Sequence, residues 1–206
     1  MEWNNYKKKG TGNDIYGTER MRLACFLRDK VFLHLSNTIF IENGTLLGAW
    51  RNSKFIKHDD DFDFGILIDN KDDIVKIFEF IRDRLPEKYS CRLINSYADK
   101  IEIYEPSLGD YQLIGPSYRN KNYHYVTVDL QLYLKQSSGQ YKWMYYISNP
   151  ISIDKNIIEP CGEMLLEGEQ FKCPNKIEDF LKIHYGYLGE DAVYSEETKL
   201  YKKVTI

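Results

Sequence analysis

The sequence predicts an α/β (α+β) domain, and three observations carry that prediction. Apolar residues recur at helical spacing over 18–37, 72–85 and 177–185. Over 62–68 and 126–134 they alternate with a period of two. The chain has 206 residues, 43% of them hydrophobic and 29% charged, which suffices for one well-buried core and is unlike a disordered segment. Nothing reads as a linker or an internal repeat, so a polar arm over residues 1–17 followed by one folded domain over residues 18–206 is expected.

The arm is read from Lys7, Lys8 and Lys9 followed by Gly10 and Gly12, a polar run without apolar period. Thr18 is then the expected N-cap of a helix carrying Leu23, Phe26, Leu27, Val31 and Leu35, with His34 on its inner side as a packing residue. Ile39 to Ile41 suits a short buried strand, and Gly44-Thr45 opens a second helical stretch, Leu46 to Trp50. In the period-two run that follows, Phe62, Phe64, Ile66 and Ile68 share one face, and Asp61 and Asp63 share the other. Asp72 to Leu85 returns to helical spacing through Ile74, Ile77, Phe78 and Ile81, and Pro86 stops it. Between Tyr89 and Tyr146, enrichment in Tyr, Ile and Val predicts several strands. The clearest pair is Val126 to Leu134 and Tyr141 to Ile147, joined by Ser137-Ser138-Gly139, with Asp129 on the polar face of the first. Last, Asn175-Lys176-Ile177-Glu178 has the form of a capping box heading a helix with Ile177, Phe180, Leu181 and Tyr185, ended by Gly186.

Lys and Arg total 28 against 31 for Asp and Glu, a net charge of -3 that gives no general attraction for nucleic acid. No apolar stretch nears the roughly 18 residues of a membrane span, and the first residues lack the apolar centre of a signal peptide. Cys25, Cys91, Cys161 and Cys173 are scattered without C-x-x-C spacing, which predicts reduced thiols. A soluble intracellular protein with no nucleic-acid partner and no membrane span is expected.

Asp59, Asp60, Asp61 and Asp63 crowd negative charge that repels itself unless a cation is near. Phe62 and Phe64 anchor this stretch to the core, so Asp61 and Asp63 are held about 6.6 Å apart on a strand rising roughly 3.3 Å per residue. Their carboxylates can converge on one ion. An all-oxygen donor set favours Mg2+ or Mn2+, and Mg2+ commonly completes its shell with substrate phosphates. Upstream, Gly44 and Thr45 start a helix whose free amides and dipole suit a phosphate. Arg51, Lys54 and Lys57 lie between the two features with charge to offset phosphate oxygens. A solvated acidic loop or an ordinary helix cap accounts for either feature alone; their closeness in the chain favours a phosphate substrate.

The block Glu42-Asn43-Gly44-Thr45-Leu46-Leu47-Gly48-Ala49-Trp50-Arg51, then Phe55-Ile56 and Asp59-Asp60-Asp61-Phe62-Asp63, closely resembles the signature of the LicD and fukutin family. That pattern reads roughly G-[TS]-L-L-G-A-x-R, a spacer ending in F-I-P-W, then D-x-D-h-D with h apolar; Lys57 and His58 stand where it has Pro and Trp. Pro174, Leu181 and Tyr185-Gly186 are similar to a second family element, so the resemblance spans about Phe40 to Gly186. It implies a nucleotidyltransferase-like fold, a small mixed β-sheet flanked by helices, making up one catalytic domain.

The implied activity is that of a LicD-type phosphotransferase. Such an enzyme moves a phosphorylated small alcohol, such as phosphocholine or ribitol phosphate, from a CDP-activated donor to a hydroxyl on a glycan. Carried over residue by residue, Asp61 and Asp63 become Mg2+ ligands, Asp59 a further acidic member, Gly44 and Thr45 the phosphate turn, and Arg51 a phosphate contact. The family's third carboxylate lies on a neighbouring strand, and Asp129 is the candidate, as third metal ligand or as base toward the acceptor hydroxyl. A rival on the same fold moves a nucleoside monophosphate from an NTP to a small molecule or protein. A non-catalytic nucleotide- or glycan-binding protein is disfavoured by the intact acidic cluster. Family members of secretory compartments are often membrane-anchored, so the lack of anchor or leader here implies a soluble intracellular or virus-encoded enzyme.

Overall fold

In the computed structural model, residues 11–95, 99–110, 123–144, 151–195, 197–198 and 200–204 are described. In chain order the first elements are α1 (Asn13–Phe26), β1 (Ile39–Ile41), α2 (Asn43–Asn52), β2 (Asp63–Ile68), α3 (Asp73–Arg82), β3 (Ser90–Ile94) and β4 (Lys100–Tyr104). Two short strands follow, β5 (Gly109–Asp110) and β6 (Tyr123–His124), then β7 (Thr127–Lys135), β8 (Gln140–Trp143), β9 (Ile151–Asp154) and α4 (Lys155–Ile158). The chain ends in β10 (Gly162–Leu166), β11 (Glu169–Cys173), α5 (Ile177–Tyr185), β12 (Ala192–Ser195) and β13 (Leu200–Lys203).

These elements make the expected mixed sheet flanked by helices. Its order is β1-β2-β7-β4-β3, and β8 and β9 continue from the far half of β7. β2 and β7 pair in parallel, and the other pairings of this sheet are antiparallel. All six residues of β2 and the first seven of β7 are buried, so both faces are covered. The polar face read from the alternation around Asp129 therefore lies inside the molecule rather than against solvent. Gly65, at the middle of β2, has a packing reason. A Cβ there would lie 2.7 Å from the Phe40 ring and 2.9 Å from that of Tyr133, which close over it from the two neighbouring strands.

The N-terminal reading needs correction. α1 begins at Asn13 with Gly12 as its N-cap, and Thr18 is an exposed residue inside the helix. Thr11 and Gly12 are buried, so the chain from Thr11 onward is not a free arm; residues 1–10 lie outside the described residues. His34 is exposed, not inward-facing, because a wide π-helical turn (Leu27–Val31) and a tight 3-10 turn (Phe32–His34) break the helical phase before it. At the other end, Gly186 terminates α5 with φ 76 as expected, but no side chain caps its start, since the Asn175 amide donates to the Asn156 carbonyl. The β7–β8 hairpin turns at Gly139, φ 82, and β8 is assigned over four residues, with 145–150 outside the described residues. The β10–β11 and β12–β13 hairpins were not predicted. The four cysteines are free thiols, and no helix among the described residues is long and apolar enough to cross a membrane.

Candidate active site

Register decides what meets at the centre of the sheet. Asp63 of β2 lies opposite Asp129 of β7, Asp129 opposite Glu102 of β4, and Glu102 opposite Arg92 of β3. A row of charged residues thus crosses four strands on one face. Asp61 joins it because the chain is fastened to β7 before β2 begins: the Phe62 amide donates to the Thr127 carbonyl (3.2 Å), and the Phe62 carbonyl accepts from Asp129 (2.8 Å). The Phe62 side chain is anchored as expected, its ring 4.8 Å from that of Phe64 and 5.4 Å from that of Phe171. One carboxylate oxygen from each of Asp61, Asp63 and Asp129 consequently lies within 4.8 Å of the others, and Asp59, Asp60 and Asp61 form a second such group.

This crowding shows in the electrostatics. Burial pushes the Asp63 carboxyl well above its usual range, and the charges of Asp61 and Asp129 add to the shift. Asp61 is raised by burial and by Asp59 and Asp129, with Lys100 opposing; Asp129 is raised by burial against the pull of Lys100. The Lys100 ammonium is ion-paired with Asp129 Oδ2, while Asp129 Oδ1 is buried with no hydrogen-bond partner among the described residues. Gln131 donates to Asp63 Oδ1 (2.9 Å) and accepts from the Trp143 indole (3.2 Å), which fixes the Asp63 side chain from behind. An all-oxygen trio that includes a carboxylate with one buried, unpartnered oxygen fits a hard divalent cation.

The start of α2 sits beside this trio. A Cβ on Gly44 would overlap the Asp59 carboxylate, whose Cγ would lie 2.9 Å away, so Asp59 occupies the space over the first turn assigned to a phosphate. Thr45 has a partner inside the protein. Its side chain is fully buried and its Oγ1 accepts from the Asp63 amide at 2.9 Å, so it positions the strand that carries Asp63. Arg51 lies about 10 Å along the helix from Gly44 at 1.5 Å per residue. It donates to the carbonyls of Leu188 (2.8 Å) and Gly189 (3.3 Å), tying down the segment after α5 rather than joining the carboxylates. Behind Thr45, fully buried Glu42 accepts a hydrogen bond from the Tyr133 hydroxyl, and burial raises its carboxyl to about 8.

α1 holds the acidic loop from the other side. The Asn13 and Asp14 amides donate to the carbonyls of Asp59 (2.8 Å) and Lys57 (3.1 Å). Arg20 is fully buried, and its guanidinium donates to the carbonyls of Thr11, Asp59 and Tyr125 and to Asn13 Oδ1. Arg20, Glu42, Lys100 and Gln131 had no role in the sequence reading. Arg20 was detectable as a charge on the apolar stripe of Leu23, Ala24, Leu27 and Val31; Lys100 and Gln131 acquire meaning only from strand pairing.

A family model described as LicD/FKTN/FKRP, nucleotidyltransferase domain, matches residues 36–176. The chain belongs to this family. That range contains α2, the acidic loop and β7, hence every carboxylate of the trio, and it makes the LicD-family chain a transferase of the phosphotransferase or nucleotidyltransferase type. A solved structure similar in outline is lincosamide antibiotic adenylyltransferase LnuA with lincomycin bound, at a TM-score of 0.46 and 14% identity, covering 87% of this chain and 89% of that one. No curated protein sequence matches the chain.

Proposed function

We propose that this LicD-family chain is a metal-dependent phosphotransferase that moves a phosphorylated small alcohol from a CDP-activated donor to a hydroxyl of a glycan or glycoconjugate. The observation that carries the metal dependence is the meeting of Asp61, Asp63 and Asp129 within 4.8 Å; family membership supports the class of transfer. Asp61, Asp63 and Asp129 are the residues that would hold Mg2+ or Mn2+. When bound there, the ion offsets charge on the donor pyrophosphate and on the phosphoryl group in flight. The protein's own contribution is positioning. Thr45 and Gln131 fix Asp63 from backbone and side chain, Lys100 fixes Asp129, and Arg20 holds the loop bearing Asp59 to Asp61.

The test is a panel of CDP-choline, CDP-ribitol, CDP-glycerol and plain NTPs with Mg2+ or Mn2+, scored by thermal shift and by release of CMP or pyrophosphate. A CDP-alcohol at about one hundred times its dissociation constant should stabilise the protein by roughly 2.7 kcal/mol. Stabilisation by NTPs with pyrophosphate release, and none by CDP-alcohols, would replace this reading with nucleotidyl transfer.

A further inference from the structure

We propose that Lys100 is a resident counter-cation of the carboxylate site that competes with the metal for Asp129 and so limits the affinity of the bare protein for divalent ions. The inference rests on the metal reading above and goes beyond it by giving a role to a cation no sequence signal pointed to. Three observations carry it. First, Lys100 lies on β4 opposite Gln131, two register positions along from the Glu102–Asp129 pair and so on the same face, and its side chain runs diagonally across the sheet to reach Asp129. Second, its ammonium is buried with Asp129 and bound to Oδ2, while Oδ1 is buried with no hydrogen-bond partner among the described residues, and the same carboxylate brings one oxygen within 4.8 Å of Asp61 and Asp63. Third, Arg92 at the far end of the charged row is ion-paired with Glu102 on the strand between, and its charge reaches Asp129 as a lesser pull than that of Lys100.

The division of labour on Asp129 follows from charge. A carboxylate accepting an ammonium on one oxygen offers the other to a metal as a single-point ligand, and the ammonium next to that metal repels it. In the bare protein the same ammonium offsets the mutual repulsion of the carboxylates and fixes Asp129 in one orientation. Removing the positive charge therefore acts in opposite directions on fold and metal. The metal-free protein loses stability, because Asp129 is left buried and uncompensated, while metal binding tightens, because a repulsive neighbour is gone and a second oxygen is released.

The experiment measures Mn2+ binding by calorimetry or by the loss of free-ion EPR signal, without any donor, on the full chain and on Lys100→Met, Lys100→Gln and Lys100→Arg. Both neutral variants should bind Mn2+ at least about tenfold more tightly than the parent, and Lys100→Arg should stay within about threefold of it. Lys100→Gln keeps a donor to Asp129, so it carries the same expectation if Lys100→Met fails to fold. Unchanged or weaker binding in the neutral variants overturns the inference while leaving the metal site standing. Equal tightening in Lys100→Arg also overturns it, since the effect would then be one of shape. Absence of Mn2+ binding by every form, the parent included, refutes the metal reading and this inference together.

Discussion

Replacing Thr45 by Val separates its two readings, because the change keeps the volume and deletes only the hydroxyl. Thr45 is fully buried, and its Oγ1 is the acceptor for the Asp63 amide, which is itself inside the sheet. In Thr45→Val that N–H is left without a partner, and a buried backbone donor stripped of its acceptor costs about 1–3 kcal/mol. No cavity opens, so nothing adds to this figure. For a chain of this length about 2 kcal/mol lowers Tm by roughly 4–8 °C. Thr45→Ser makes the complementary change, retaining the hydroxyl and losing a methyl worth about 0.8 kcal/mol, hence roughly 2–3 °C. The assay is thermal unfolding of the three proteins without ligand, followed by Mn2+ titration, in which Thr45→Val should bind more weakly because the Asp63 backbone has lost its anchor. A hydroxyl serving a donor phosphate gives a different pattern, a loss of activity with no change in melting. Thr45→Val melting within about 1 °C of the parent, or Thr45→Ser proving the more damaging, would refute the positioning argument.

Other outcomes follow from the same geometry. Asp61→Asn and Asp63→Asn relieve like-charge repulsion, so the metal-free melting temperature should hold or rise while Mn2+ binding and turnover each fall at least about a hundredfold; full activity in both would remove the metal assignment. His184 packs between Trp143 (4.4 Å) and Phe180 (4.6 Å), and burial pulls its imidazole down to about 3, below the unfolded value of about 6.5. Between those values the unfolded chain binds the extra proton, so the native state loses about 1.4 kcal/mol per pH unit as pH falls. His184→Phe removes that loss, and its stability advantage in urea unfolding should grow by about 2 kcal/mol from pH 6.5 to 5; an advantage independent of pH would contradict the assignment. Gly48→Ala puts a Cβ against the Lys54 carbonyl and 3.1 Å from the Ile56 amide, both backbone, and should cost about 1–3 kcal/mol in a urea midpoint measurement. Unchanged stability would show that the turn after α2 yields.

What the sequence made legible was whatever depends on local pattern. The period-two run from Phe62 to Ile68 correctly separated anchoring phenylalanines from inward carboxylates, and the spacing of Ile74, Ile77 and Ile81 correctly placed one buried face on α3. Asp129 was reachable from alternation alone, but its nearness to Asp63 is a fact of parallel register that no local window contains. The same limit applies to the contacts of the phosphate-turn candidates. Gly44, Thr45 and Arg51 sit on the expected helix, yet Asp59, the Asp63 amide and the carbonyls of Leu188 and Gly189, which engage them, come from elsewhere in the chain. Gly48, the second glycine of the motif, had no role assigned from the sequence and proves to be a contact with the 54–56 backbone. The N-terminal boundary was misplaced because Asn13 and Asp14 look like arm residues until the loop carbonyls they bind are known.

The parallel pairing of β2 with β7 also sets an order of events during folding. A hairpin cannot close a parallel pair, so α3, β3 and β4 must be crossed before Asp63 and Asp129 can meet, and contacts of such sequence separation form slowly. The residues that then face each other are two buried carboxylates, whose crowding the Lys100 ammonium offsets only in part. The same pair of strands that brings the carboxylates together is therefore the bottleneck of their assembly, and a divalent ion present during refolding should quicken the step as well as stabilise its product.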